Sequence, residues 1–155
     1  MNEHHYKLTA IWNGNKGSGT SSVRSYDRSH TVSMTGKPDL HLTTDNPAVG
    51  DKTKLNPEDL LVTAVASCHM LSYLYVCALE GIVITEYVDH ATGIMIENPD
   101  GSGKFKVVTL NPEVVVEDES MLIRADELHH KAHDMCYIAN SVNFPVNCNP
   151  VCRTK

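Results

Sequence analysis

Residues 56–79 read NPEDLLVTAVASCHMLSYLYVCAL, and this stretch decides the fold. An Asn-Pro pair opens it, which suits the N-cap and the first helical position, and Glu58 and Asp59 then complement the helix dipole. The apolar residues that follow cover every side of a helical wheel instead of forming one stripe. We therefore predict a central buried helix, covered on all sides, that carries Cys68 in its middle.

The segments on either side of this helix predict strands, turns and a second helix. Alternating apolar and polar residues indicate strands, and runs rich in glycine, proline and asparagine separate them. A change to an apolar period of about three to four residues indicates an amphipathic helix. In chain order we predict a half-buried strand, a hairpin, the central helix, a second hairpin, the second helix and a short edge strand, at residues 5–12, 23–43, 56–79, 82–116, 117–136 and 141–146. This order predicts an α+β domain.

Composition limits the class of protein. The 155 residues fit a single domain, 1–155, and are long enough to bury a core without disulfides or metals. The chain has 13 Lys and Arg residues against 19 Asp and Glu residues, a formal charge of −6, and no basic cluster. We therefore expect neither nucleic acid nor a membrane as a partner. The polar N-terminal residues and the polar interruptions of the central helix favour a soluble, cytoplasmic protein.

Five cysteines, at positions 68, 77, 136, 148 and 152, form an odd set without a Cys-x-x-Cys pair. Such a set suits a reducing compartment better than a disulfide framework. Cys77 falls about 180° around the helix from Cys68 and is predicted to be a core residue. Cys148 and Cys152 lie in a polar tail, a kind of segment that is commonly disordered, and the sequence leaves open whether they are ordered; incidental thiols are favoured over accessory ones.

Cys68 allows two interpretations from the helix alone. A free cysteine in an apolar helix commonly acts as a small buried hydrophobe. A reactive thiolate instead requires a cation from elsewhere in the chain, because burial alone makes a thiol inert. The choice between the two therefore depends on other segments.

A metal site on the second helix is a competing interpretation. His129, His133 and Cys136 are spaced i, i+4 and i+7, which places three ligand-type side chains on one helical face. The neighbouring residues are charged, as on a solvated face, and the sequence marks no fourth ligand. We therefore expect no metal site and no cofactor.

Two motifs carry a resemblance to a known family. NPEDLLVTAVASCHM at residues 56–70 and AHDMCYIANSV at residues 132–142 resemble the OsmC/Ohr family, the osmotically inducible protein C and organic hydroperoxide resistance proteins. The resemblance follows the order of elements over nearly the whole chain. It implies antiparallel sheets packed around a central buried helix, in an intertwined homodimer.

The resemblance also implies roles for particular residues. Cys68 matches the cysteine that attacks the peroxide, Cys136 the resolving cysteine, and Glu58 the acid that precedes the reactive thiol. Arg28 is the better match to the family's arginine, and Arg24 is the alternative. His69, the histidine-rich second helix and the extra cysteines depart from the shared pattern.

The function implied is that of a thiol-dependent peroxidase in oxidative stress defence. It reduces organic hydroperoxides to alcohols through a Cys68 sulfenic acid and a Cys68–Cys136 disulfide, which a dithiol reductant resets; a lipoyl-type dithiol is one candidate. The alternative is a non-catalytic stress protein on the same scaffold that binds a small apolar ligand or a metal.

The spacing within the central helix bears on assembly. Glu58 and Cys68 lie ten residues apart, which is about 15 Å of rise in an unbroken helix. Either an arginine held by Glu58 spans part of this gap, or the Glu58 and arginine of one subunit serve the Cys68 of another. The apolar surface of the helix favours the second arrangement, and so we predict a homodimer.

Overall fold

A computed structural model describes residues 2–155 of the chain. These residues fall into two compact units, one that ends at Leu60 and one that runs from Leu61 to Lys155. The boundary lies in the first turn of helix α1, Pro57–Leu79. The expectation of a single domain over 1–155 stays a prediction.

The first unit contains a three-stranded antiparallel sheet. Its strands are β1, Thr9–Trp12, β2, His30–Ser33, and β3, Leu40–Leu42, in that order. The predicted hairpin of β2 and β3 is confirmed. The predicted strand at 5–12 begins only at Thr9, because β2 ends at Ser33, opposite Thr9, and a turn at Gly36 follows. All four residues of β1 are exposed, so the half-buried face that we predicted is absent.

The second unit contains the other six strands and the second helix. They are β4, Ile84–Asp89, β5, Thr92–Glu97, β6, Gly103–Leu110, β7, Pro112–Val116, α2, Leu122–Met135, β8, Val146–Cys148, and β9, Val151–Arg153. β5 pairs with β6 and β4 with β7, both antiparallel, which confirms the predicted second hairpin. Each arm of this hairpin consists of two strands with a short break between them, β4 and β5 in one arm and β6 and β7 in the other. Asn111 connects the two breaks: its backbone N–H donates to Asp89 Oδ1 and its side-chain amide to the His90 carbonyl.

The C-terminal residues overturn two expectations. β8 pairs in parallel with β6 and β9 in parallel with β7, so these sheets are mixed and not purely antiparallel. The predicted edge strand at 141–146 is wrong, since a 3-10 turn occupies Ala139–Ser141 and the strand starts at Val146. The tail is therefore ordered, and Cys148 and Cys152 lie within strands with half-buried side chains.

The ends of α1 are confirmed as predicted. The Asp59 backbone N–H donates to the Asn56 side chain at 2.8 Å, and the Asn56 N–H donates to the Asp59 carboxylate at 3.1 Å. These reciprocal bonds satisfy donors that the first turn of a helix leaves free. Beyond Leu79, Gly81 adopts a φ of +70°, the left-handed conformation that commonly ends a helix.

One face of α1 is buried in the second unit and another is exposed. The buried residues recur at helical spacing: Val65, His69, Tyr73, Val76 and Cys77. Leu71, Tyr75 and Leu79 are 63%, 56% and 63% exposed. We predicted that α1 would be buried on all sides, but a single chain buries only one face of it. The exposed apolar face is typical of an interaction surface.

Helix α1 also has the length and apolar composition of a membrane-spanning helix. A core helix of a globular domain can have the same length and composition. The apolar core of the second unit accounts for its buried face, where Tyr73, Val76 and Cys77 pack with Val114, Leu128 and other residues of β7 and α2. The prediction that Cys77 is a core residue is confirmed.

Candidate functional site

The structure brings Cys68 and Cys136 together within the second unit. Cys68 lies in the middle of α1 and is half-buried, and Cys136 follows α2 directly and is fully buried. Burial raises the pKa of Cys136 to about 11, and the adjacent Cys68 side chain contributes to the rise. The Ala139 backbone N–H donates to the Cys136 sulfur at 3.5 Å. Both cysteines are free thiols in this structure.

This arrangement gives the two thiols different properties. Cys136 stays protonated at neutral pH, because its pKa lies well above 7. Cys68 is the more accessible of the two. A thiol pair of this kind can form a disulfide after oxidation of the accessible member.

Arg28 and Glu58 line one pocket of about 370 Å³ in the first unit, with walls that include Trp12, Tyr26 and His30. The Arg28 guanidinium lies 4.1 Å from the centre of the Tyr26 ring. It donates to the backbone carbonyls of Tyr26 at 2.8 Å and Val23 at 2.6 Å. The alternative cation, Arg24, is exposed and does not line this pocket.

A bidentate ion pair between Arg28 and Glu58 does not form in residues 2–155 of a single chain. The two Nη atoms of Arg28 are engaged by carbonyls of its own loop. Glu58 Oε2 is buried and has no hydrogen-bond partner in the described part of the chain. The pocket therefore presents a cation with unused donors and a carboxylate oxygen with an unused acceptor site.

A second group of ligand-type side chains lies within the second unit. His69 of α1 and His129 of α2 are 1% and 3% exposed, and His69 Nε2 lies 3.1 Å from His129 Nδ1. Cys148 Sγ of β8 lies 3.5 Å from the first nitrogen and 3.9 Å from the second. Burial lowers the pKa of His69 to about 4 and that of His129 to about 3, so both rings are neutral at pH 7. Burial raises the pKa of Cys148 to about 12.

The ligand set that we considered from sequence is not assembled. His129 faces His69 and Cys148, and Cys136 lies beside Cys68. The spacing argument fails because it shows only which residues share a helical face; Cys136, the residue that follows α2, lies against the thiol of α1 and not against His129. The sequence showed His69 as a polar residue in an apolar helix. The sequence could not show its neighbours, His129 and Cys148, because they belong to two distant elements, α2 and β8.

Comparison with family models matches residues 50–150 to the family described as OsmC-like protein. This chain belongs to the OsmC-like family. The match covers more than half of the chain and includes both Cys68 and Cys136. The prediction of the OsmC/Ohr family is therefore confirmed, and this family includes proteins associated with organic hydroperoxide resistance and redox chemistry.

Solved structures of OsmC-like proteins share the fold. An OsmC-like protein of unknown function from Vibrio cholerae is 30% identical, with a TM-score of 0.82 over 97% of this chain and 100% of that one. An organic hydroperoxide resistance protein OsmC from Legionella pneumophila is 20% identical, with a TM-score of 0.69 over 97% and 98%. The organic hydroperoxide resistance protein OhrB of Bacillus subtilis is 20% identical, with a TM-score of 0.64 over 96% and 98%.

These likenesses confirm the mixed α+β fold predicted from the OsmC/Ohr resemblance. At 20% identity, the Legionella and Bacillus structures show the fold alone. A comparison with curated proteins gave no match.

Proposed function

We propose that this OsmC-like protein is a thiol-dependent peroxidase that reduces organic hydroperoxides to alcohols in oxidative stress defence. The observation that carries the proposal is the adjacency of Cys68, half-buried on α1, and Cys136, buried at the end of α2. Membership of the OsmC-like family supports it. The cytoplasmic location expected from the sequence stays a prediction.

The proposed reaction has three steps. The Cys68 thiolate attacks one oxygen of the O–O bond, which breaks, and the leaving alkoxide takes a proton to become the alcohol. Cys68 is then a sulfenic acid. The Cys136 sulfur displaces the sulfenic hydroxyl, which leaves as water with the Cys136 proton, and a disulfide forms. A dithiol reductant gives two electrons and two protons to restore both thiols and becomes a disulfide itself.

The burial of Cys136 suits this order of events. A thiol whose pKa is raised to about 11 does not compete with Cys68 for the peroxide at neutral pH. Its proton is available for the hydroxyl that leaves in the second step. The buried neighbour thus acts only once the accessible sulfur has been oxidised.

Arg28 is proposed to stabilise negative charge on Cys68 and on the peroxide oxygens. A guanidinium stays protonated and can donate to a developing oxyanion. Glu58, whose Oε2 is buried without a partner among the described residues, is proposed to orient Arg28 once substrate or a partner subunit releases the guanidinium from its carbonyls. The aromatic walls formed by Trp12 and Tyr26 favour an alkyl or aryl hydroperoxide over hydrogen peroxide.

Peroxide consumption tests the proposal directly. The reduced protein is mixed with cumene hydroperoxide or hydrogen peroxide, with dihydrolipoamide or dithiothreitol as the electron donor. We expect catalytic loss of cumene hydroperoxide that is faster than loss of hydrogen peroxide. Loss of both peroxides at the rate of a protein-free blank would overturn the proposal and favour the non-catalytic alternative.

Replacement of the two candidate arginines should separate their roles. Arg28→Ala is expected to lower kcat/KM for cumene hydroperoxide about 100-fold, the effect typical of losing one donor to a developing oxyanion. Arg24→Ala is the matched control and should change kcat/KM little, since Arg24 is exposed and lies off the pocket. Equal losses in both variants, or a larger loss in Arg24→Ala, would contradict the assignment.

The exposed face of α1 is proposed to be covered by a second copy of the chain. Leu71, Tyr75 and Leu79 form an apolar surface that a homodimer would bury. Light scattering at micromolar concentration should therefore give the mass of a dimer. A monodisperse monomer of 17.1 kDa would exclude this part of the account.

A further inference from the structure

We propose that His69, His129 and Cys148 form a binding site for a divalent transition-metal ion of the zinc class. The peroxide chemistry proposed above uses none of these three residues. Each comes from a different element, α1, α2 and β8, so the site would also connect β8 to the two helices. The proposal departs from the sequence-based expectation of no metal site.

The distances among the three ligand atoms match tetrahedral coordination. Zn–N bonds near 2.0 Å and a Zn–S bond near 2.3 Å require ligand separations of about 3.3 Å for N···N and about 3.6 Å for N···S. The N···N separation between His69 and His129 is 3.1 Å. The two N···S separations from Cys148 are 3.5 and 3.9 Å. All three ligand atoms lie within 4.8 Å of one another, so one small ion can contact all of them.

The imidazole rings are held in place by packing. The ring of His129 stacks on Tyr73, with ring centres 3.8 Å apart and planes inclined by 12°. The Tyr73 hydroxyl is itself anchored, since it donates to the Ala125 carbonyl at 3.1 Å. His69 is also buried, and its ring is nearly parallel to that of His129, with ring centres 5.4 Å apart. Fixed, neutral imidazoles next to a thiol form a preorganised ligand set.

Buried polar atoms without hydrogen-bond partners lie around the proposed site. Four buried side-chain atoms of the second unit have no hydrogen-bond partner in the described residues: His69 Nδ1, His129 Nε2, Tyr87 Oη and Asp89 Oδ2. Asp89 lies close enough to Tyr87 and Cys148 to raise the pKa of both. The two imidazole nitrogens in this set lie on the far sides of their rings from the proposed ion, which cannot satisfy them. The Asp89 carboxylate and the Tyr87 hydroxyl are the groups that indicate a bound ion or water nearby, because buried polar groups without partners are costly. A cation would also offset the carboxylate that Asp89 places near the thiol.

An open cleft of about 620 Å³ gives access to the site. Its lining includes His129 and Cys148 together with Asp126, His130 and His133. An ion can enter through this cleft, and water can fill the fourth position. Three protein ligands with one open position are typical of zinc sites that react with small molecules, and two imidazoles with one thiolate select zinc over magnesium or calcium.

A direct hydrogen bond between the two imidazoles is the competing explanation. It accounts for the 3.1 Å separation between His69 and His129. It does not account for the sulfur of Cys148 within 3.9 Å of both nitrogens. Metal binding requires this sulfur as a thiolate, so the Cys148 proton leaves to solvent as the metal–sulfur bond forms.

Cobalt(II) alone is a suitable probe, because a thiolate ligand gives a charge-transfer band in the near ultraviolet. The whole protein is reduced, freed of metal with a chelator and titrated with Co²⁺. We expect the band to saturate at one ion per chain and to disappear when Zn²⁺ displaces the cobalt. Absence of the band in the wild type at saturating Co²⁺ would overturn the proposal.

Matched variants assign the ligands. Cys148→Ser should abolish the charge-transfer band, and His129→Gln should weaken Co²⁺ binding at least 10-fold. Cys152→Ser, on the neighbouring strand, and His130→Gln, on the same helix and cleft, should bind as the wild type does. If Cys148→Ser does not fold, X-ray absorption of the zinc-loaded wild type must show one sulfur and two imidazole ligands. A band that persists in Cys148→Ser but is lost in Cys68→Ser or Cys136→Ser would also overturn the assignment.

Discussion

A Cys68→Ser variant is expected to lose dithiol-dependent reduction of cumene hydroperoxide, with a rate that falls on the order of 1000-fold or to the blank. A serine hydroxyl is nearly isosteric with the thiol but is not ionised at neutral pH and is a poor nucleophile toward an O–O bond. The half-buried position of Cys68 leaves room for this exchange without a change in core volume. Initial rates of peroxide loss at equal protein concentration measure the effect.

Two cysteine variants serve as controls for this result. Cys152→Ser should keep the wild-type rate within a few-fold, because Cys152 lies on β9 with a half-buried thiol that the reaction does not use. Cys136→Ser should complete one turnover and then stall as a sulfenic acid that a dimedone adduct reveals. Wild-type activity in Cys68→Ser would show that Cys68 is not the residue that reacts with the peroxide.

Metal-free protein is expected to lose stability steeply as the pH falls from 6.5 toward 4. The pKa of His69 is lowered from 6.5 to about 4 and that of His129 to about 3, both chiefly by burial. The unfolded chain therefore binds protons below pH 6.5 while the folded protein does not, which favours unfolding. For His69 alone the loss is on the order of 3 kcal/mol once the pH reaches 4. Above pH 6.5 neither histidine contributes to the pH dependence.

Denaturant unfolding at a series of pH values, with a chelator present, measures this loss. Cys148 lies against both rings, and His133 and His130 contribute to the lowered pKa of His69 and His129 respectively. His129→Gln should flatten the dependence between pH 6.5 and 4, whereas His41→Gln, at an exposed position, should leave it unchanged. A free energy of unfolding that stays constant over this range would show that these histidines are not buried in the neutral form.

The parts of the fold that sequence predicted well are those with local signals. The capped start of α1 at Asn56, its glycine stop at Gly81, the hairpins and the amphipathic α2 each depend on residues within a few positions of one another. The pairing of β8 and β9 depends on edges of distant strands. Parallel pairing is not marked by a tight turn between the paired strands, so the sequence left open whether Cys148 and Cys152 are ordered.

The site shows the same division. Family resemblance indicated Cys68 and Cys136, and the structure places their side chains side by side. The cluster of His69, His129 and Cys148 draws one residue from each of three elements, and sequence spacing cannot show such a meeting. The sequence also did not predict the orientation of Arg28, whose guanidinium donates to carbonyls of its own loop and not to Glu58.

The most direct test of the account is to identify the bond that peroxide creates. The fully reduced protein is treated with an equimolar amount of cumene hydroperoxide, its free thiols are alkylated, and the unreduced digest is analysed by mass spectrometry. The account predicts a peptide pair linked through Cys68 and Cys136, with Cys77, Cys148 and Cys152 alkylated. Consumption of the peroxide with both Cys68 and Cys136 still alkylated, or a link from Cys68 to another cysteine, would contradict it.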